Sequence, residues 1–332
     1  LTYENFLNFH RTYYHPSNSY IYLYGNMDME EKLAFLDEHY LSHFDYLDVD
    51  SVIQEQKAFG ACRDVTLEYP VAENEGEEDN TYLSYNMVVG NAADSQMAMA
   101  FEVLDYALLS APGAPLKQAL LDVKAGKDVY GSYDDGILQP YFTVIAKGSN
   151  PDRKEEFVSV IRQVLGDIVK NGIDKKAVEA GINYFEFRYR EADFSSYPKG
   201  LMYSLDILGD WLYESKAPFA QVQMLKVFEN LKKAVNEGYF EALIRRYLLE
   251  NPHGCILTLV PKKGLAAQRE KELEEKLEAY RSSLSEEELN TMVEKTKALE
   301  AYQESDEDPE ALECIPMLKR SDIKKEAGNF VN

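Results

Sequence analysis

Cysteine is scarce: Cys62, Cys255 and Cys314 are the only three in 332 residues. They are odd in number, far apart and without any C-x-x-C. Neither a disulfide framework nor a thiolate zinc site is supported, and small buried apolar roles in a reducing compartment fit them better. No run of 18 apolar residues occurs, so no helix is long enough in hydrocarbon to span a bilayer. The opening Leu1-Thr2-Tyr3-Glu4-Asn5 has no initiating Met, no basic n-region and no apolar h-region, so the chain reads as a piece of something longer. Positive charge is short as well. Lys+Arg number 35 against 58 Asp+Glu, a net of −23, and a field of that sign repels phosphate backbones and anionic lipid. Nucleic acid and membrane surfaces are therefore poor partners.

Catalytic signatures are missing too. There is no G-x-S-x-G, no Gly-rich phosphate loop, no Rossmann fingerprint and no zincin motif in either order. What remains is an ordinary globular composition, 45% hydrophobic and 28% charged, in a length that suits about two domains.

The first fifty residues read as helix, strand, helix. Phe6, Phe9 and Tyr13 recur at helical spacing until His15-Pro16-Ser17-Asn18. Ser19 to Gly25 is a compact aromatic and β-branched run that predicts a strand, and Asp28 with Glu31 predicts a capped helix through Tyr40. Residues 45–62 lack periodicity and read as a connector. Val65 to Tyr69 and Asn80 to Gly90 predict strands. The acid-rich Glu73 to Asp79 between them lacks the alternating ligand pattern of a calcium loop and reads as solvated.

Helical patterns follow from Asp94 to Leu109 and around Leu116 to Leu121, then two strands, Val129 to Tyr133 and Leu138 to Ala146, joined by the hairpin signal Asp134-Asp135-Gly136. A block of helices from Asp152 to Leu249 leads to a last strand, Cys255 to Val260. Strands, then helices, then a returning strand predict an α+β fold: an antiparallel sheet with helices packed on one face. From Lys263 to Glu313 there are 16 acids and 7 bases. The stripes Leu273, Leu277, Tyr280, Leu284 and Leu289, Met292, Val293, Leu299, with a Ser285/Glu288 restart between them, predict a long antiparallel helical hairpin.

Few residues could carry chemistry. His39 and His43 stand four apart on an expected helix, a spacing at which two imidazoles can share a metal, but no motif glutamate lies between them, so half-exposed helix residues are the reading. His10, His15 and His253 read as structural. Glu186, Arg188, Arg190 and Glu191 form a charged helix face that suits surface ion pairs. With 58 acids, no carboxylate pair can be chosen as general acid and base without a pocket to place it.

Longer strings are more specific. Phe9-His10-Arg11-Thr12-Tyr13-Tyr14-His15-Pro16-Ser17-Asn18, followed by Tyr22-Leu23-Tyr24-Gly25-Asn26-Met27-Asp28, resembles the late first domain of the pitrilysin/insulinase superfamily of zinc peptidases, in its presequence-protease branch. Ala114-Pro115-Leu116-Lys117-Gln118-Ala119-Leu120, Glu186-Phe187-Arg188, Pro198-Lys199-Gly200, Trp211-Leu212-Tyr213, Asn251-Pro252-His253 and Pro261 resemble landmarks of that branch's second domain and the start of its linker. Cys314-Ile315-Pro316-Met317-Leu318 with Asp322-Ile323 is similar to the opening of its third domain.

The resemblance implies a peptidase αβ-roll and a division of the chain: 1–50 the end of the first, catalytic domain, 51–62 a connector, 63–262 a second, non-catalytic domain, 263–313 a helical-hairpin linker, and 314–332 the start of the third. It implies a zinc metalloendopeptidase that degrades unfolded peptides in a closed chamber of two halves, the zinc motif lying upstream of Leu1 and an assisting Arg and Tyr in the last domain. No catalytic or metal-ligating residue carries onto this numbering, and substrate-binding residues stay unknown. The expected cofactor is zinc in the parent protein and none in this segment. The expected partners are unfolded peptides and the remaining domains of its own chain, and the expected place is the bacterial cytoplasm. The acidity suits either a half-shell that draws in basic peptides or simple solubility. A structural or docking member of the same superfamily, without peptidase activity, is the alternative.

Overall fold

The computed structural model describes residues 1–192, 194–216, 218–315 and 317–323. The chain divides into two compact units, Leu1–Leu265 and Ala266–Asn332.

Helix α1 (Tyr3–Tyr13) starts where the Thr2 hydroxyl accepts the Asn5 amide and stops ahead of Pro16, whose ring cannot continue it. Helix α2 (Met29–His39) is capped as expected by Asp28, whose Oδ1 accepts the Glu31 amide at 3.1 Å. The strand expected at Ser19 to Gly25 is not one. The segment joins no ladder among the described residues, and β-propensity without a neighbour to accept its backbone groups makes no sheet. Its rings lie on other side chains instead: Tyr20 is 4.4 Å from Trp211 and Tyr24 is 6.0 Å from Tyr203 between ring centroids.

Five strands form one sheet: β1 (Arg63–Pro70), β2 (Thr81–Val88), β3 (Asp128–Asp134), β4 (Tyr141–Ser149) and β5 (Gly254–Lys262), in the order β1-β5-β2-β4-β3. Between β2 and β3 come helices α3 (Ser95–Asp105) and α4 (Pro115–Asp122). Between β4 and β5 come α5 (Lys154–Asn171), α6 (Lys175–Glu191), α7 (Lys199–Trp211), α8 (Leu225–Ala234) and the short α9 (Tyr239–Leu243). The expected α+β layering holds, with one departure. The β2–β4, β2–β5 and β3–β4 pairs are antiparallel, but β1 runs parallel to β5 from Arg63↔Cys255 to Pro70↔Lys262. The last strand enters between β1 and β2, two strands of opposite direction, and can oppose only one of them. The Asp134-Asp135-Gly136 signal also makes a longer connection than a two-residue turn, since β4 begins only at Tyr141. Asp134 Oδ1 accepts the Gly136 amide at 3.1 Å, an Asx turn that opens that loop.

Alternate side chains of the central strands, Leu83, Tyr85 and Met87 from β2 and Val144 and Ala146 from β4, are buried in one core with Phe101, Leu104, Phe157, Ile161 and Ile244. Each such side chain contributes about 1.5–3 kcal/mol by leaving water. Helix α5 supplies Phe157, Ile161 and Leu165 at a spacing of four, and Gly172 ends it at a φ of +93°. Helix α6 approaches α3 closely because residue 181 is glycine. A Cβ there would stand 3.1 Å from the Tyr106 ring and 3.3 Å from Val103.

In the second unit, α10 (Leu265–Ser283) and α11 (Glu286–Gln303) are separated where the sequence predicts. Ser285 Oγ accepts the Glu288 amide at 3.2 Å and the Glu288 carboxylate accepts the Ser285 amide at 2.8 Å, a complete capping box. The apolar stripes do not close on each other as a packed hairpin requires. Leu273 and Leu277 are each 56% exposed and Val293 43%. A capping box fixes where one helix stops and the next starts; it sets no contact between them. Of the expected third-domain opening, Pro316 and residues 324–332 lie outside the described residues.

Candidate functional site

A pocket of about 420 Å³ opens among α3, the loop after β3, α6, α7 and the segment before α8. Its walls are largely apolar, with Met99, Phe185, Tyr189, Tyr203 and Val222 among them. Set into those walls are four carboxyls, Glu102, Asp135, Asp206 and Asp210, and one guanidinium, Arg188. Local sequence explains the placement. Asp206 and Asp210 are one turn apart on α7, and Glu102 faces them from α3, a helix whose start is fixed by Asp94 Oδ1 accepting the Met97 amide.

Burial is the first cause of every shift here. It raises the Glu102 carboxyl to about 7, with Asp135 and Asp105 adding and Arg188 opposing. Burial also pushes Asp135, Asp206 and Asp210 above the ordinary carboxyl range, and Asp135 adds to the last two. Arg188 Nη1 meets the Tyr184 hydroxyl at 3.4 Å, with its guanidinium 5.6 Å from that ring's centroid, so it is held against α6. Asp210 Oδ1 accepts from Gln221 Nε2 at 2.9 Å.

A second pocket, about 510 Å³, lies under the connector. The Gln56 amide donates to Gln139 Oε1 at 2.6 Å and Gln139 Nε2 donates back to the Gln56 carbonyl at 3.1 Å, so a side-chain amide pairs with the strap as a strand would. Phe59 meets the His253 ring edge-on at 4.7 Å and carries the Arg63 guanidinium 3.8 Å from its centroid. Burial and the Arg63 charge lower the His253 pKa, and burial raises the Cys255 thiol. That combination gives a neutral imidazole and an unactivated thiol, poorly suited to nucleophilic work.

The other sequence candidates scatter. His39 ends α2 and packs on Phe35 at 4.6 Å, whereas His43 lies in a separate 3₁₀ turn, Leu41–His43. The φ of −139° at Tyr40 breaks the helix between them, so they do not share one helical face. Glu186 pairs with Arg190 at 2.7 Å and with Lys232, and these bonds lower its pKa, which makes the α6 face the ion-paired surface expected. Among the described residues, no three His, Cys, Asp or Glu side chains converge so as to hold a metal ion. The acid-lined pocket went unseen because its carboxyls are spread from 102 to 210. The one local signal is Asp206 and Asp210, two like charges at i, i+4 on a mostly apolar helix, a destabilising pair in isolation.

Residues 1–185 match the family described as Peptidase M16 inactive domain, and residues 259–332 match a second family, described as associated with subgroup C of the same peptidases. The chain belongs to the M16 peptidase family. Protein HypA of Clostridium perfringens is 44% identical over 327 residues, 98% of this chain and 34% of that protein. Presequence protease 1, chloroplastic/mitochondrial, of Arabidopsis thaliana is 32% identical over 334 residues, 98% of this chain and 31% of that protein. The M16 chain thus spans about a third of the length of the curated relatives it matches. Among solved structures, an M16-like peptidase from Alicyclobacillus acidocaldarius superposes with a TM-score of 0.59 at 19% identity, covering 79% of this chain and 59% of that one. The peptidase M16 inactive domain from Pseudomonas fluorescens gives 0.55 at 14% identity, covering 79% and 58%. At those identities the likeness shows the fold.

Proposed function

We propose that this chain is the central, non-catalytic segment of a zinc-dependent metalloendopeptidase that degrades unfolded peptides inside a closed chamber of two halves. The observation that carries the reading is the match over 98% of the chain to a presequence protease, together with the inactive-domain description of residues 1–185. Residues 1–50 are then the end of the catalytic domain, 63–262 the wall-forming second domain reached through the 51–62 connector, 263–313 the linker between halves, and 314–332 the start of the third domain. The zinc motif belongs upstream of Leu1, where bound zinc would supply the activated water. This chain's part is to enclose and position peptide, not to touch the reacting atoms. No helix among the described residues is long and apolar enough to cross a membrane, and we place the parent in a reducing, bacterial cytoplasm.

The experiment compares the full-length parent with the 332-residue segment. Zinc is measured by elemental analysis after chelator washing and reloading, and cleavage is followed on a fluorogenic unfolded peptide. The parent is expected to hold one zinc and cleave, and the segment to do neither. A zinc-free, inactive parent would favour a structural or docking role instead. One tight zinc on the segment, lost on changing His39 and His43 together to Ala, would overturn the assignment of the metal to upstream residues.

A further inference from the structure

The pocket on the helical side of the fold holds more negative charge than its own lining neutralises. Four carboxyls face one guanidinium among the described residues that line it. One of them is exceptional. Asp210 is only 3% exposed, and its Oδ2 has no hydrogen-bond partner among the described residues. Gln221 serves Oδ1, and the Ser95 hydroxyl faces the carboxyl without hydrogen-bonding Oδ2. A buried carboxylate oxygen left bare forfeits its hydration with nothing in exchange, a cost that a donor arriving in the pocket removes.

The chemistry of that donor follows from the walls. Anions are repelled by the sign of the site. A bare metal ion is disfavoured, because no three acid, His or Cys side chains among the described residues converge to ligate one. The carboxyls are spread instead: Asp210 buried, Glu102 and Asp135 half-buried, Asp206 at the exposed mouth. Between them lie Met99, Tyr203 and Val222, surfaces that take a methylene chain. An aromatic wall beside carboxyls also suits a cation through the ring face.

We propose that this pocket binds an organic cation, an ammonium or guanidinium head on an apolar stem. The head donates to Asp210 Oδ2, Asp206 holds it at the mouth, and Glu102 and Asp135 supply the remaining field. The stem lies along Met99, Tyr203 and Val222. Arg188 limits the charge the pocket accepts and favours a single cationic head over a close pair. This site is independent of peptide cleavage, because it is built from the helical layer and uses no metal.

The test uses the full-length protein that carries this chain. Agmatine, n-pentylamine and N-acetyl-lysine-N-methylamide are titrated by calorimetry at constant ionic strength, with calcium chloride and sodium pentanoate as comparison ligands. The two small cations are expected to bind with submillimolar affinity while pentanoate does not. Binding of the capped lysine at similar strength would identify a peptide side chain as an occupant; binding of the free amines alone would identify a small metabolite. Asp210→Asn should weaken binding by at least tenfold. Should that variant not fold, Asp206→Asn at the exposed mouth should weaken it about three- to tenfold with the melting curve intact. Glu78→Gln, an equal loss of charge on a distant loop, should leave affinity unchanged. Absence of binding, equal affinity in the Asp206 and Glu78 variants, or calcium outcompeting the amines would each overturn the proposal.

Discussion

The ring of Tyr24 lies so close over Gly200 that a Cβ at position 200 would overlap it. Through this contact and the stacking of Tyr20 on Trp211, the extended 19–25 segment is held on α7 without any ladder of its own. Gly200→Ala gains up to about 1 kcal/mol of helix propensity but ejects the Tyr24 ring. The expected outcome is a small change in global stability together with loss of the docked segment. Trp211, the only tryptophan in the sequence, reports it: its emission should shift to the red and its quenching by acrylamide should rise. An unchanged spectrum would show that the segment re-seats around a methyl group.

Glu102 sets a pH dependence whose sign can be worked out. Its folded pKa is raised to about 7, above the value near 4.3 of an unfolded glutamate, so the folded state holds the proton longer. The group favours folding fully below about pH 4, loses that contribution as pH rises toward 7, and opposes folding above it. Glu102→Gln should match the parent chain near pH 4 and be more stable at pH 8, by up to about 3 kcal/mol. Urea midpoints at the two pH values decide it. An equal difference at both would mean that the carboxyl does not titrate in this range.

Tyr85 ties the sheet to the end of the helical block. Its hydroxyl donates to the Leu248 carbonyl at 2.5 Å from a side chain 1% exposed, and burial raises the phenol to about 12. Tyr85→Phe keeps the ring packing and strands that carbonyl. We expect a loss of about 1–2 kcal/mol, seen as a lower denaturant midpoint with an unchanged slope. A changed slope would point to a rearranged fold.

Ser285→Ala removes the capping box of α11. The expected cost is about 1 kcal/mol, confined to the first turn, so amide exchange at Glu288 and Leu289 should quicken while the unfolding transition of residues 1–265 does not move. Fast exchange already present in the parent chain would show that the box is not formed in solution.

Signals confined to a few residues were legible in the sequence. Asp28, Asp174 and Ser285 cap helices where side-chain oxygens precede apolar periodicity, and the alternation in β2 and β4 survives as one buried face. Features that need a distant partner were not. Ser19 to Gly25 has the composition of a strand and no neighbour to pair with among the described residues. His39 and His43 have metal spacing on paper, but one dihedral at Tyr40 separates them. Asp210 shows nothing in the sequence of its bare oxygen, because Gln221 and the pocket walls arrive from other elements. The parallel edge was hidden for the same reason, since Arg63 and Cys255 meet only once the sheet closes.

That closure has a consequence for how the chain is made. Strand β5 sits between β1 and β2 yet is translated after every helix of the first unit. A nascent chain that has not yet emerged past Lys262 leaves β1 with no strand beside it and one edge of β2 open. Bringing such distant strands together is slow, because loop-closure entropy is spent before the contacts form. On the ribosome, the β2–β4–β3 antiparallel group with α3 can assemble first, exposing a sticky edge to other chains until the last strand slides in. The order of synthesis therefore makes the middle of this sheet its last piece, and ribosome-stalled chains ending before Gly254 should be the ones that chaperones hold.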